Sequence, residues 1–258
     1  MKSLEVTLRA VRATGRKALV PYFMAGVTPD WTQHVAAAVH GGADAVEIGI
    51  PFSDPMMDGV VIQQAAEQSL AAGTNLDSIC AELSGADLGA PLIAMTYYNL
   101  FHHYGLRRAA GLLRHGGVVG AIVPDLTLEE SDEWRNACDE TDIATIFLVA
   151  PSTTEDRFAR LAEATQGFCY ASARMAVTGR AQGGGDATRV VQAVRATSDI
   201  PTYVGIGITT PEQAHDAAER ADGVIVGSAL VDTILRGATP ADTEAFIATF
   251  RRAIDNNL

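Results

Sequence analysis

A chain of 258 residues, 48% hydrophobic and 19% charged, carries ample apolar material for a large core, and no polar low-complexity tract marks disorder. Its 31 acidic against 19 basic residues give a formal charge of -12, which repels nucleic acid and anionic lipid. No run approaches the roughly 20 apolar residues of a membrane span, and Glu5, Arg9 and Arg12 stand where a signal peptide needs an apolar stretch, so the protein is expected in the cytoplasm.

Leu4, Leu8 and Val11 recur at helical spacing ahead of Gly15 and predict a first helix with one apolar stripe. Strand-length apolar runs then alternate with helix-period segments. The runs are 18–24, 45–50, 91–97, 118–123, 144–149, 168–172, 202–204 and 223–226, and they read as strands buried on both faces. Capping chemistry marks helix starts at Thr127 with Glu130, Ser152 with Glu155, and Thr210 with Pro211 and Gln213. Thr239 and Pro240 open a last helix striped by Phe246, Ile247, Phe250 and Ile254. Both terminal helices are expected on the outside or the bottom of the fold. Without a linker or a composition break, residues 1–258 read as a single domain. Cys80, Cys138 and Cys169 lack metal-ligand spacing and read as reduced thiols. Eight such units fit a TIM (β/α)8 barrel with extra N- and C-terminal helices, or a doubly wound open sheet; periodicity does not separate them.

Glu47 places a carboxylate inside an apolar strand, where burial costs several kcal/mol or raises its pKa. It reads either as one half of an ion pair with an arginine or as a general acid–base at the strand end where barrel active sites lie. The stretch from Pro51 to Gly59 carries two prolines and two more carboxylates, Asp54 and Asp58, and must form a loop over the mouth. Asp58 suits the N-cap of the next helix or a second catalytic carboxylate. Gly205, Ile206 and Gly207 follow the seventh strand, and Gly227 and Ser228 follow the eighth. Glycines and helix N-termini at that pair of loops form the usual phosphate site of barrel enzymes, which favours the barrel over the open sheet. The segment from Arg174 to Gly185 is glycine-rich and reads as a connector or a water-excluding lid. His102 and His103 read as surface residues, and no cluster has metal-ligand or Ser-His-Asp character.

With these residues assembled, the chain resembles the α subunit of tryptophan synthase from the first strand to the last helix. The motifs are Leu19-Val20-Pro21-Tyr22, Glu47-Ile48-Gly49-Ile50 joined to Pro51-Phe52-Ser53-Asp54-Pro55, and Asp58-Gly59, with Met95-Thr96-Tyr97-Tyr98-Asn99 after them. Val123-Pro124-Asp125-Leu126 with Glu129-Glu130-Ser131, Val177-Thr178-Gly179, Gly205-Ile206-Gly207-Ile208 and Gly227-Ser228 complete the set. The resemblance implies a lyase of tryptophan biosynthesis that cleaves indole-3-glycerol phosphate to indole and glyceraldehyde 3-phosphate without metal or organic cofactor. It assigns Glu47 to acid–base work and Asp58 to the indole N–H. It puts the phosphate on backbone donors of Gly179, Gly207, Gly227 and Ser228, and lines the indole pocket with Tyr22, Tyr97, Tyr170 and Thr178. It also implies a PLP-dependent β subunit in an α2β2 complex.

The sequence departs from the family pattern where the lid reads Ala173-Arg174-Met175-Ala176-Val177-Thr178-Gly179, and where Met56, Met57 and Val60 stand in the second-strand loop. Glu47 and Asp58 are untouched. The altered positions, with Asp54 and Asp125, belong to the lid and to the loops that face a β subunit, so weak coupling to that partner, or none, is the expectation. A free-standing lyase that releases indole is the alternative within the same chemistry. A catalytically silent activator of a β subunit is disfavoured by the intact carboxylates, and a sugar-phosphate isomerase by the Pro51–Pro55 motif.

Overall fold

The computed structural model describes residues 1–174 and 187–255. The chain begins with helix α1 (Ser3–Ala13) and strand β1 (Ala18–Met24), then α2 (Trp31–His40), β2 (Val46–Gly49), α3 (Val60–Ala71) and α4 (Leu76–Ser84). It continues through β3 (Leu92–Met95), α5 (Tyr98–Tyr104), α6 (Leu106–His115), β4 (Val118–Ile122), a 3-10 turn (Leu128–Glu130) and α7 (Asp132–Glu140). After these come β5 (Ala144–Ile146), β6 (Leu148–Val149), α8 (Glu155–Ala164), β7 (Cys169–Arg174), α9 (Ala187–Thr197) and β8 (Thr202–Ile206). The last elements are α10 (Pro211–Ala218), β9 (Gly223–Val226), α11 (Ser228–Leu235) and α12 (Pro240–Ile254).

Every strand pair is parallel, in the order β5-β4-β3-β2-β1-β9-β8-β7-β6. β5 and β6 are halves of the fifth expected strand, interrupted at Phe147. The two ends of the sheet therefore meet within one stretch of chain. Across that seam the Gln166 amide donates to the Thr145 carbonyl at 2.8 Å and the Tyr170 amide to the Phe147 carbonyl at 3.1 Å. The sheet closes into the (β/α)8 barrel, and the open-sheet alternative falls.

Alternate residues along each strand face opposite ways. Val20, Ile93, Ile146, Phe168, Tyr203 and Ile225 fill the interior and cluster with Leu4 and Leu8 of α1. That helix seals the N-terminal end of the barrel rather than lying on its flank. Leu4 is fully buried, and an added Cβ at Gly120 would come within 2.7 Å of its Cδ2 and one at Gly167 within 3.0 Å. Outward-facing strand residues pack with the helices into a second, larger cluster. α12 lies across α2 and α10 with Ile247, Phe250 and Ile254 buried. Its Arg251 donates to Asp44 at 2.9 Å and to the Lys17 carbonyl at 3.0 Å, tying the last helix to the turns around β1.

The capping boxes at Thr210 with Gln213 and at Thr239 with Asp242 form as their sequences require; a further box, Asn75 with Ser78, opens α4. Two expected caps differ. α8 starts at Glu155 with Thr154, not Ser152, as its N-cap, and the Thr154 hydroxyl donates to Asp156 at 2.6 Å instead of accepting a helix amide. The Thr127 hydroxyl donates to the Glu130 carboxylate at 2.9 Å instead of accepting an amide, so Thr127 opens a 3-10 turn and α7 begins at Asp132.

Because Leu4 meets two glycines that leave no slack, Leu4→Ala opens a cavity that the floor of the barrel cannot collapse around. The expected loss is about 2–5 kcal/mol in urea unfolding. A loss below about 1 kcal/mol would show that α1 is not part of the core.

Candidate active site

Glu47 lies in register between Tyr22 of β1 and Ile93 of β3 and is 1% exposed. Its Oε2 has no hydrogen-bond partner among the described residues. Burial, with a smaller contribution from Asp58, pushes its pKa up to about 8. No described cation contributes, so the reading of Glu47 as half of an ion pair with an arginine is set aside.

Asp58 reaches the same place from the loop above. The N-cap of α3 is Gly59 and makes no side-chain cap bond, so the N-cap reading of Asp58 fails as well. Its Oδ2 accepts from the Tyr97 hydroxyl at 3.1 Å. The phenol oxygen accepts the Met57 amide at 2.9 Å, and the Phe52 ring stacks on Tyr97 with centroids 5.3 Å apart. Burial raises the Asp58 pKa while the Tyr97 hydrogen bond opposes the rise. Tyr97, pushed up to about 12 chiefly by burial, remains a donor. Tyr22, Ile50, Phe52, Asp58, Met95 and Tyr97 line a narrow pocket at the mouth, with free volume of only about 10 Å3. The Phe52 stack and the Met57 amide are the members that sequence reasoning missed.

Two tyrosine hydroxyls enter the barrel over glycines of neighbouring strands. An added Cβ at Gly49 would overlap the Tyr22 hydroxyl, and one at Gly205 would overlap that of Tyr170. Gly205 and Ile206 therefore belong to β8 and its packing. Gly207, at φ +78, makes the turn beyond the strand. Gly227 is the N-cap of α11, where the first helical bonds run from the Leu230 and Val231 amides to the Gly227 carbonyl. The amides of Ser228 and Ala229, ahead of those bonds, are left for a ligand or water.

Of the lid and loop residues, Met56 and Met57 are exposed, Asp54 accepts from the Ser53 hydroxyl, and Asp125 accepts the Tyr98 amide at 2.9 Å, joining the loop after β4 to the start of α5. The backbone of Arg174 ends β7, paired with Ile206. Met175, Ala176, Thr178 and Gly179 lie outside the described residues. His102 and His103 are exposed on α5. Among the described residues no group of His, Cys, Asp and Glu side chains is placed to hold a metal ion.

With this geometry in view, the sequence matches the family model described as tryptophan synthase alpha chain over residues 8–254. The chain belongs to the tryptophan synthase alpha chain family. It is 44% identical over 243 residues to the tryptophan synthase alpha chain of Thermobifida fusca, covering 91% of this chain and 90% of that one. Identity to the Streptomyces coelicolor alpha chain is 42% over 237 residues, covering 90% and 88%. Among solved structures, a ligand-free tryptophan synthase from M. tuberculosis superposes with a TM-score of 0.88 at 35% identity, covering 98% of this chain and 99% of that one. The tryptophan synthase subunit alpha of Legionella pneumophila gives 0.88 at 33% identity, covering 99% of each. As a tryptophan synthase alpha chain the protein is a lyase of tryptophan biosynthesis, as the sequence motifs implied. Among the described residues no helix is long and apolar enough to cross a membrane.

The raised pKa of Glu47 has a consequence for stability. Its folded pKa lies above the unfolded value of 4.5, so folding takes up a proton, and stability falls as pH rises between the two values. Glu47→Gln removes that penalty. It is expected to raise the urea midpoint more at about pH 9 than at about pH 5, the difference being on the order of a few kcal/mol. An equal change at both pH values would show that folding does not raise the Glu47 pKa.

Proposed function

We propose that the mouth of this barrel performs a retro-aldol cleavage of indole-3-glycerol phosphate, with Glu47 and Asp58 as its two working carboxylates. The observation that carries the reading is the contrast between them. One is buried with an oxygen lacking a donor and titrates near 8; the other is held by Tyr97 at the edge of the cavity. Two carboxyls in unlike environments let one site supply acid and base together. Glu47 delivers a proton to the indole ring carbon that bears the side chain and takes the proton of the adjacent side-chain hydroxyl. As that hydroxyl becomes a carbonyl, the carbon–carbon bond breaks and its electrons return to the ring. Asp58 accepts the indole N–H and stabilises the positive charge the ring carries in between. The phosphate lies on the amides at the start of α11 and in the Gly207 turn, which lets a chain of net charge -12 bind an anion.

The same reading makes residues 1–258 one working domain and gives it a PLP-dependent β subunit in an α2β2 assembly. Supporting this, Met56 on the mouth loop and Val60 at the start of α3 are 78% and 79% exposed, apolar side chains near the mouth that suit a protein partner. The three cysteines are free and buried, which fits the reducing cytoplasm.

Glu47→Gln is expected to retain the fold and substrate binding and to lower indole release by roughly 10²–10⁴-fold. Asp58→Asn should also cut turnover while leaving phosphate affinity nearly unchanged. Turnover near the parent value in folded Glu47→Gln would remove Glu47 from the chemistry. For the anion site the informative change is Gly227→Val. A Cβ there meets only ordinary contact with Tyr22, 3.6 Å away, so the substitution tests ligand approach rather than folding. Substrate and inorganic phosphate are expected to weaken together in equilibrium titrations, and Ser228→Ala to cost less, because main-chain amides supply most donors. Unchanged binding of both ligands to Gly227→Val would place the phosphate elsewhere.

A further inference from the structure

Tyr22 is paired in register with Glu47 across β1 and β2. Its ring rises to the next layer of the barrel, where the hydroxyl fills the space that a Gly49 side chain would need. β2 thus gives up a side chain at Gly49 to admit one phenol oxygen. A wall meant only to be apolar would be filled at lower cost by phenylalanine, since a hydroxyl out of water is expensive without a partner. Tyr22 is only 8% exposed, lines the same cavity as Asp58, and makes no hydrogen bond to a described residue in this structure.

The titratable groups around it are Glu47 on β2, Asp58 on the loop above, Tyr97 beyond β3 and Tyr170 on β7. Ionised carboxylates only accept hydrogen bonds. The Tyr97 hydrogen is already given to Asp58, Glu47 Oε2 has no donor, and no described cation contributes at either carboxyl. Burial, reinforced by both carboxylates, keeps the Tyr22 phenol protonated and so a donor. We propose that the Tyr22 hydroxyl, lodged over Gly49, is the positioning donor of the Glu47–Asp58 pair and supplies the hydrogen bond the pair needs when its second member ionises. The proposal rests on reading the pair as the acid–base machinery, and it assigns Tyr22 a task beyond lining the pocket.

The test is the titration of the pair in Tyr22→Phe, which keeps the ring and removes the hydroxyl. The protonated-carboxyl infrared band that disappears in Glu47→Gln gives the Glu47 midpoint directly in the resting enzyme; pH profiles of indole release give the kinetic midpoint. In Tyr22→Phe both midpoints are expected to rise by about half a pH unit or more, since a carboxylate that loses a donor is harder to ionise. Replacing Tyr22 with a fluorinated tyrosine, a stronger donor, should move them down. A Glu47 midpoint within about 0.2 unit of the parent in both variants would overturn the proposal and leave Tyr22 as packing. If the infrared midpoint moves while the kinetic one stays, the donor role stands and the assignment of Glu47 to turnover fails, so the two readings are separable.

Discussion

A carboxyl group enclosed between parallel strands, with one oxygen lacking any donor, is the constraint on which the rest of this site depends. Water cannot solvate it, so it holds its proton through neutral pH. Such a group needs a rigid enclosure. A closed barrel provides it, because the neighbours of β2 on both sides are fixed by hydrogen bonding and the interior is filled from below by α1. Its companion is placed differently. Asp58 arrives from a loop instead of a strand, with a phenol to hold it and an outlet to the mouth.

Strand order distributes the work around the rim. The carboxylates belong to β2 and the loop after it, with Tyr97 beyond β3, whereas the glycine turns of the proposed anion site follow β8 and β9. In the order β3-β2-β1-β9-β8, β1 stands between the two halves. Tyr22 is its interior residue at that level, touching the space of Gly49 on one side and of Gly227 on the other. Under the proposed function, a substrate with an aromatic ring at one end and a phosphate at the other would lie across β1, with Tyr22 between its two ends. The positive end of the α11 dipole lies at the half proposed for the phosphate, and the buried Glu47 lies at the other.

The architecture was legible because the strands are short, apolar and separated by well-marked helix starts. Ala18–Met24 and Gly223–Val226 agree with their expected bounds to the residue. Glu47 and Asp58 could be read because a carboxylate in an apolar strand and another in a proline-bound loop contradict their surroundings. The break at Phe147 was hidden, since a strand split in two has the same apolar run as an intact one. Ser152 misled because α8 begins after Thr154 without any side-chain cap, so the spacing of Ser152 to Glu155 carries no capping bond. The interlocks of Tyr22 with Gly49 and Tyr170 with Gly205 were out of reach. A glycine beside an anion and a glycine making room for a phenol look identical in sequence, and only register on the adjacent strand tells them apart.

The sealed floor of the barrel also governs proton traffic. Leu4, Leu8, Phe168 and Tyr203 close the interior beneath Glu47, so exchange with bulk water runs through the mouth alone. A bound substrate occupies that mouth. Under the proposed function, a proton that Glu47 lifts from the side-chain hydroxyl then exchanges with the medium mainly after the products depart. In that sense the N-terminal helix, some distance from any reacting atom, acts as the stopper of a one-ended vessel.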